Sequence, residues 1–234
     1  MSDVGSVDLA ASLDALEAAY GNVTAAVEGL SEAELMRPSG CAGWAVMDVL
    51  FHQLLDARRA LRTFASPSQD PADVDDVSYW RAFSPLRGDS AAAAAAAAAH
   101  AKYVRVAASA YPAGALIWEW RETAAAACRA ARACPHERVT TQGHVLRTPD
   151  FTATLAVEAA VHFLDLTVGR PAADAPDPAA LGLVRRVLDG LLGRNVPVGW
   201  DDRTYALKGT GRAALTGTER RRLGPLADRF PLFA

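Results

Sequence analysis

The run from Thr152 to Asp165 is apolar at helical spacing, yet it carries two ionisable side chains, Glu158 and His162, in its middle. Four residues apart on a helix, the two project from one face, one turn from each other. A helix this apolar is buried, and a buried carboxylate or imidazole without a partner is costly. The chain must therefore set a second element against this face. The run from Trp44 to Arg59 qualifies, being apolar-periodic with His52 in mid-run. Two such helices side by side present two imidazoles and one carboxylate. That donor set suits a borderline divalent ion, zinc first by availability, with nickel, iron and cobalt as alternatives. Three protein donors leave a position open, which points to chemistry rather than to a structural staple. The competing reading is plain: a Glu-x-x-x-His spacing is a weak motif, and such residues also reach solvent or a backbone carbonyl.

Bulk properties narrow the classes. The 234 residues suffice for one large domain with its own core. Lys and Arg total 24 against 27 Asp and Glu, a net charge of -3, so the basic footprint of a nucleic-acid binder is missing. The hydrophobic fraction of 51% owes much to alanine, and no run approaches the ~18 strongly apolar residues of a membrane span. The start, Met1-Ser-Asp-Val-Gly, does not read as a signal peptide, so a cytoplasmic address is expected. Cys41, Cys128 and Cys134 are odd in number and lack C-x-x-C spacing, against a disulfide framework or a cysteine zinc site. Cys128 and Cys134 are expected to be ordinary, partly buried thiols. Cys41, near the start of the His52 helix, either approaches the site or fills a loop.

The expected order is helical. Leu9, Leu13, Leu16, Tyr20, Val23 and Val27 form the stripe of a helix within Asp8 to Leu30. Ser31-Glu-Ala-Glu34 has capping-box form. Trp44 to Phe64 is a second long helix, where Asp48, one turn before His52, either accepts from its ring or is a solvated first-turn acid. Residues 66 to 89 read as a long connection whose aromatics, Tyr79, Trp80 and Phe83, pin it to the core or wall a pocket. Ser90 opens the nine-alanine run Ala91 to Ala99, a helix by propensity, broken at Pro112 and Gly114 before another over Leu116 to Cys134. Val139 to Arg147 is a hairpin-like excursion. Thr148-Pro149-Asp150 then starts the Glu158/His162 helix, with Thr148 as its cap, and Gly169 and Pro171 stop it. A Pro/Ala/Asp linker, 171 to 178, leads to a helix over about Ala179 to Leu192, then a small hairpin over Tyr205 to Leu215 and a short helix capped at Thr216.

With Gly43-Trp44 opening the His52 helix, and Glu158-x-x-x-His162-x-x-Asp165 in a later one, the chain resembles the mycothiol-dependent maleylpyruvate isomerase family of DinB-like metal-binding bundles over roughly residues 10 to 168. The resemblance implies a mainly all-α fold, an up-down-down-up four-helix bundle over 1–170; the residues after it, 171–234, read as a small C-terminal α/β appendage. It also implies that His52, Glu158 and His162 bind a divalent metal, usually zinc, at one end of the bundle. A low-molecular-weight thiol, mycothiol, would approach there and be acidified by the metal. The function expected is a thiol transfer, addition or thiol-assisted isomerisation on a small electrophile. The alternative class is a non-catalytic metal- or ligand-binding bundle. Small molecule and thiol are the expected partners, and the chain is expected to be a monomer or homodimer.

The remaining candidates are peripheral. Asp165, one turn past His162, is placed to accept from a ligand imidazole or to bind an arginine from a neighbouring helix. His144 is the candidate general base or fourth ligand, against a role anchoring its loop. His100 is expected on a solvated helix side and His136 at a helix end. Arg212 and Arg220-Arg221-Arg222 read as a solvated face before an acidic-substrate site.

Overall fold

The computed structural model of the chain describes residues 7–84, 91–170 and 175–233. Its elements run α1 (Leu9–Val27), α2 (Glu32–Leu35), α3 (Val46–Phe64), a 3₁₀ turn (Ser78–Phe83), α4 (Ala91–Ala108), α5 (Ala113–Ala133), β1 (Arg138–Thr141), β2 (His144–Arg147), α6 (Thr148–Leu166), α7 (Pro178–Leu192), α8 (Asp202–Gly209), α9 (Gly217–Leu223) and a second 3₁₀ turn (Gly224–Arg229). The expected start at Met1, residues 85–90 of the long connection and residues 171–174 of the linker lie outside the described residues.

Helices α1, α3, α5 and α6 form the up-down-down-up bundle, α1 packing on α6 and α5, and α3 on α5 and α6. On α1 the buried stripe is Leu13, Leu16, Tyr20, Val23 and Val27, while Leu9 is exposed. On α3 it is Leu50, Phe51, Leu54, Ala57, Ala60 and Phe64. Helix α6 is the central rod: all its residues are buried except Glu158 and His162. An all-round apolar helix is stable only when covered on every side, and α7 covers the flank of α6 and α1 that the other bundle helices leave open. Among the described residues no helix is long and apolar enough to cross a membrane.

Two local expectations shift. Helix α6 has Arg147 at its N-cap position, with no side-chain cap bond. Thr148 is already helical, and its hydroxyl donates instead to the carbonyl of His136, tying the helix start to the end of α5. The excursion before it is a true hairpin, with Val139 opposite Leu146 and a turn at Gln142-Gly143, both at positive φ (48° and 80°), as a two-residue type I′ connection requires. The C-terminal hairpin is not found. Tyr205 to Gly209 complete α8, whose start is capped by Asp201 accepting from the Thr204 N–H at 2.6 Å. The glycines that read as a hairpin turn instead end a helix, Gly211 lying just beyond it at φ 76°. The described part of the extension is thus helical, not α/β, with the Thr216 capping box in place.

Trp120 of α5 is fully buried, donates to Thr24 Oγ1 at 3.0 Å and meets Tyr20 edge-on at 5.2 Å. Trp120→Ala should cost about 3–5 kcal/mol in urea denaturation, against about 1 kcal/mol for Thr24→Ala, which removes one hydrogen bond. Asp150, buried in the first turn of α6, is pushed up to about 6 by burial and by the neighbouring Asp76. Its folded value lies above the ordinary ~3.9, so this residue subtracts stability as pH rises from about 4 through 6. Asp150→Asn should therefore stabilise the fold at pH 7 and make little difference at pH 4, as read by denaturant midpoints at the two pH values.

Candidate metal centre

Helix α3 brings His52 and helix α6 brings Glu158 and His162 to one point. His52 Nε2 lies 3.1 Å and His162 Nε2 3.2 Å from the same oxygen, Glu158 Oε1, and the two rings meet edge-on with centroids 4.9 Å apart. One donor atom from each residue falls within 4.8 Å of the others. Burial alone would raise the Glu158 carboxyl, but the two imidazoles outweigh it and hold the group well below the usual carboxylate range. Burial likewise disfavours a charged His162, yet its bonds to Asp165, Cys41 and Glu158 lift its pKa well above the usual imidazole value.

Behind His162 stands Asp165, 1% exposed. Its Oδ2 is 2.9 Å from His162 Nδ1, and Arg212 clamps the carboxylate from both sides, Nε donating to Oδ1 at 2.8 Å and Nη2 to Oδ2 at 2.6 Å. Asp165 thus meets both the His162 ring and an arginine, although Arg212 comes from the turn after α8 rather than from a neighbouring helix. Burial would raise its pKa; the bonds from His162 and Arg212 bring it down to about 2. The Cys41 thiol donates to Asp165 Oδ2 at 3.2 Å and lies 3.8 Å from His162 Nδ1, so this cysteine does approach the site. Gly40 N donates to the Asp165 carbonyl at 2.9 Å, and a Cβ on Gly40 would stand 2.4 Å from Asp165 Oδ1. A side chain there would drive the loop off the carboxylate.

The cluster opens on a cavity of about 690 Å³, which Tyr79, Trp80 and Phe83 also line. These aromatics pin the connection as well, since Trp80 packs on Phe233 at 4.6 Å.

Residues 16–167 match the model of the mycothiol maleylpyruvate isomerase N-terminal domain. The chain belongs to that family. Its fold is similar to the crystal structure of the mycothiol-dependent maleylpyruvate isomerase, with a TM-score of 0.52 at 15% identity over 82% of this chain and 72% of that one. A histidine-to-alanine mutant of that enzyme gives 0.52 at 14% over the same shares. No curated protein matches the chain in sequence. At such identities the likeness speaks for the fold, and the chemistry must be argued from the residues.

Several expected placements change within this family frame. Asp48 does not meet the ring of His52: its Oδ2 accepts from the Ala45 N–H at 2.8 Å, closing the first turn of α3. His144, the candidate base or fourth ligand, is not among the residues that line the cavity; its Nδ1 lies 2.9 Å from Asp73 Oδ2, a contact that anchors the connection. His100, expected on a solvated helix side, is exposed but also lines the cavity, with Nε2 3.4 Å from His52 Nδ1. Arg212 is not part of a solvated face, whereas Arg220, Arg221 and Arg222 are exposed or nearly so. His136 lies between α5 and β1, as a helix-end residue should. Arg212 could not be found from spacing, because it follows a turn 47 residues beyond its partner.

Arg212→Met would strand a buried carboxylate. It should cost about 3–5 kcal/mol, the range for breaking a buried pair, whereas a methionine in place of exposed Arg221 should change denaturation by less than about 0.5 kcal/mol.

Proposed function

We propose that the chain is a divalent-metal-dependent thiol enzyme, using a mycothiol-type thiol as cosubstrate in a transfer, addition or thiol-assisted isomerisation on a small electrophile. The observation that carries this is the convergence of His52 Nε2 and His162 Nε2 on one oxygen of Glu158 beside an open cavity. Family membership supports it.

The residues fit such an ion. Two nitrogens and an oxygen face one point, and the far nitrogen of His162 is held by a carboxylate, the arrangement that fixes a ligand imidazole's tautomer and orientation. His52, Glu158 and His162 would hold the ion, zinc or a neighbour of it in the first transition row. A bound divalent ion acidifies a thiol that reaches its open position and so supplies a thiolate at neutral pH. The chain's own contribution is positional. Asp165 keeps Nδ1 of His162 engaged and its Nε2 turned to the site, and Arg212 keeps Asp165 ionised. Trp44 packs edge-on against the His52 ring at 5.5 Å and limits its rotation. Tyr79, Trp80 and Phe83 give the cavity an apolar wall that excludes water from a bound thiol's stem.

His162→Ala should abolish both metal binding and mycothiol-dependent turnover, while far-ultraviolet circular dichroism keeps the helical signal and Tm moves modestly. The bundle's stability comes from its apolar stripes, and the ion adds only a mass-action increment. Outright unfolding of that variant, or of chelated protein, would favour a structural metal. Fully loaded protein inert towards a panel of electrophiles would overturn the catalytic reading.

A further inference from the structure

One oxygen behind His162 meets more donors than it can serve. Asp165 Oδ2 lies 2.6 Å from Arg212 Nη2, 2.9 Å from His162 Nδ1 and 3.2 Å from Cys41 Sγ. A carboxylate oxygen offers two lone pairs, and three donors compete for them. The arginine, at the shortest distance, holds one. That leaves one for an imidazole nitrogen and a sulfur, which stand 3.8 Å from each other. Sulfur, nitrogen and oxygen thus form a triangle in which all three sides are short, 3.8, 3.2 and 2.9 Å. An ion bound tetrahedrally at about 2.3 Å from sulfur and 2.0–2.2 Å from nitrogen and oxygen holds such donors about 3.3–3.6 Å apart, so each side is within about half an ångström of what a shared ion requires. Cys41 and Asp165 do not line the cavity, whereas Gly40, Ala42 and Gly43 around the half-buried thiol are exposed. The approach to this triangle therefore runs past the loop at 40–43.

We propose that Cys41 Sγ, His162 Nδ1 and Asp165 Oδ2 form a second cation site, taken by a soft, thiophilic ion such as Cd²⁺, and that an ion there excludes the one held through Nε2 of the same imidazole. The second site stands on its own geometry; the exclusion rests on the reading of His52, Glu158 and His162 given above. Sulfur is the donor that the first cluster lacks and that soft ions select. The ion takes the place of the two hydrogens that compete for Oδ2. The thiol proton passes to water, and the proton of Nδ1 reappears on Nε2, since a neutral imidazole carries one on either nitrogen. From there it donates to Glu158 Oε1, 3.2 Å away, so Nε2 has no lone pair left for a metal. Arg212 keeps its bonds to both oxygens of Asp165. The thiolate supplies the second negative charge that a dication beside this arginine needs, and water at the loop supplies the fourth ligand.

The test uses the full chain, reduced and stripped of metal, titrated with Cd²⁺ and read by the ultraviolet charge-transfer absorption of a cadmium thiolate. Wild type should develop this band. A double variant, Cys128→Ser with Cys134→Ser, should keep it, and Cys41→Ser should lose it. A band that survives in Cys41→Ser, vanishes in the double variant or never forms in wild type overturns the second site; should one variant fail to fold, the other decides alone. His162→Ala removes a donor and should weaken the Cd²⁺ affinity read from the band by at least about tenfold. Unchanged affinity means that Cys41 binds alone, which also overturns the site. Exclusion is read on Zn²⁺-loaded protein with a colorimetric chelator: Zn²⁺ should be released as the band forms. Zn²⁺ retained under a full band, or released from Cys41→Ser at the same Cd²⁺ concentration as from wild type, overturns the exclusion. Wild type that binds Zn²⁺ no better than His162→Ala sinks the first cluster and the exclusion with it, and the thiolate band then judges the Cys41 site by itself.

Discussion

The carboxylate of Asp165 is the joint on which both imidazoles depend. It is buried, so its charge is tolerable only because an arginine and an imidazole meet it directly. Through Nδ1 it sets His162. Its own carbonyl accepts from Gly40, and the loop that begins there runs on to Trp44, whose ring packs against His52. One residue thus orients the first imidazole by a hydrogen bond and the second by a short, tightly held stretch of chain. Glycine at position 40 is the condition for this, because any Cβ would meet the carboxylate. The C-terminal extension enters the same joint through Arg212, which makes it part of the cluster's framework even though α8 and α9 contribute no residue to the His52, Glu158 and His162 cluster.

Helix α6 shows how burial and function are divided along one rod. Seventeen of its nineteen residues are buried, and the two exceptions are Glu158 and His162, where the cavity opens. Covering every other position lets the bundle stay stable while two polar side chains remain only half covered. Their partial exposure lowers the cost of the charges they carry. It also lets a small molecule reach them.

The pattern of long helices, the three-residue cluster and the contact of Asp165 with His162 were legible because each is local in sequence or follows from helix periodicity. Glu158, His162 and Asp165 share a face of one helix, and His52 sits mid-run on another that has to be buried. What escaped was non-local or depended on context. Asp48 looked like a partner for His52, but a first-turn acid satisfies the nearest free backbone N–H, here that of Ala45. His144 was close to α6 in sequence, yet the hairpin turns it outwards to Asp73. His100 came from a helix whose alanines gave no hint of which side faced the cavity. Tyr205 to Gly209 read as a strand because five residues hold too few periods to separate two from 3.6, and the Asp201 cap decided it. Arg212 had no local signal, since its ion pair spans two separate layers of the fold.

The cluster also explains why two antiparallel helices suffice to build it. Helix α3 offers His52, and α6 offers Glu158 and His162 one turn apart, so the two rods set the two imidazoles together with the carboxylate between them. The bundle supplies rigidity that a loop would lack. Such a pattern asks only that two helices keep their faces in register. The core of α3 and α6 maintains that register through Phe64 and Phe151, which meet edge-on at 5.2 Å further along the same interface. The placement of the site is therefore a consequence of how these two helices pack, and substitutions in that aromatic contact would reach the ligands through the backbone rather than through any bond to them.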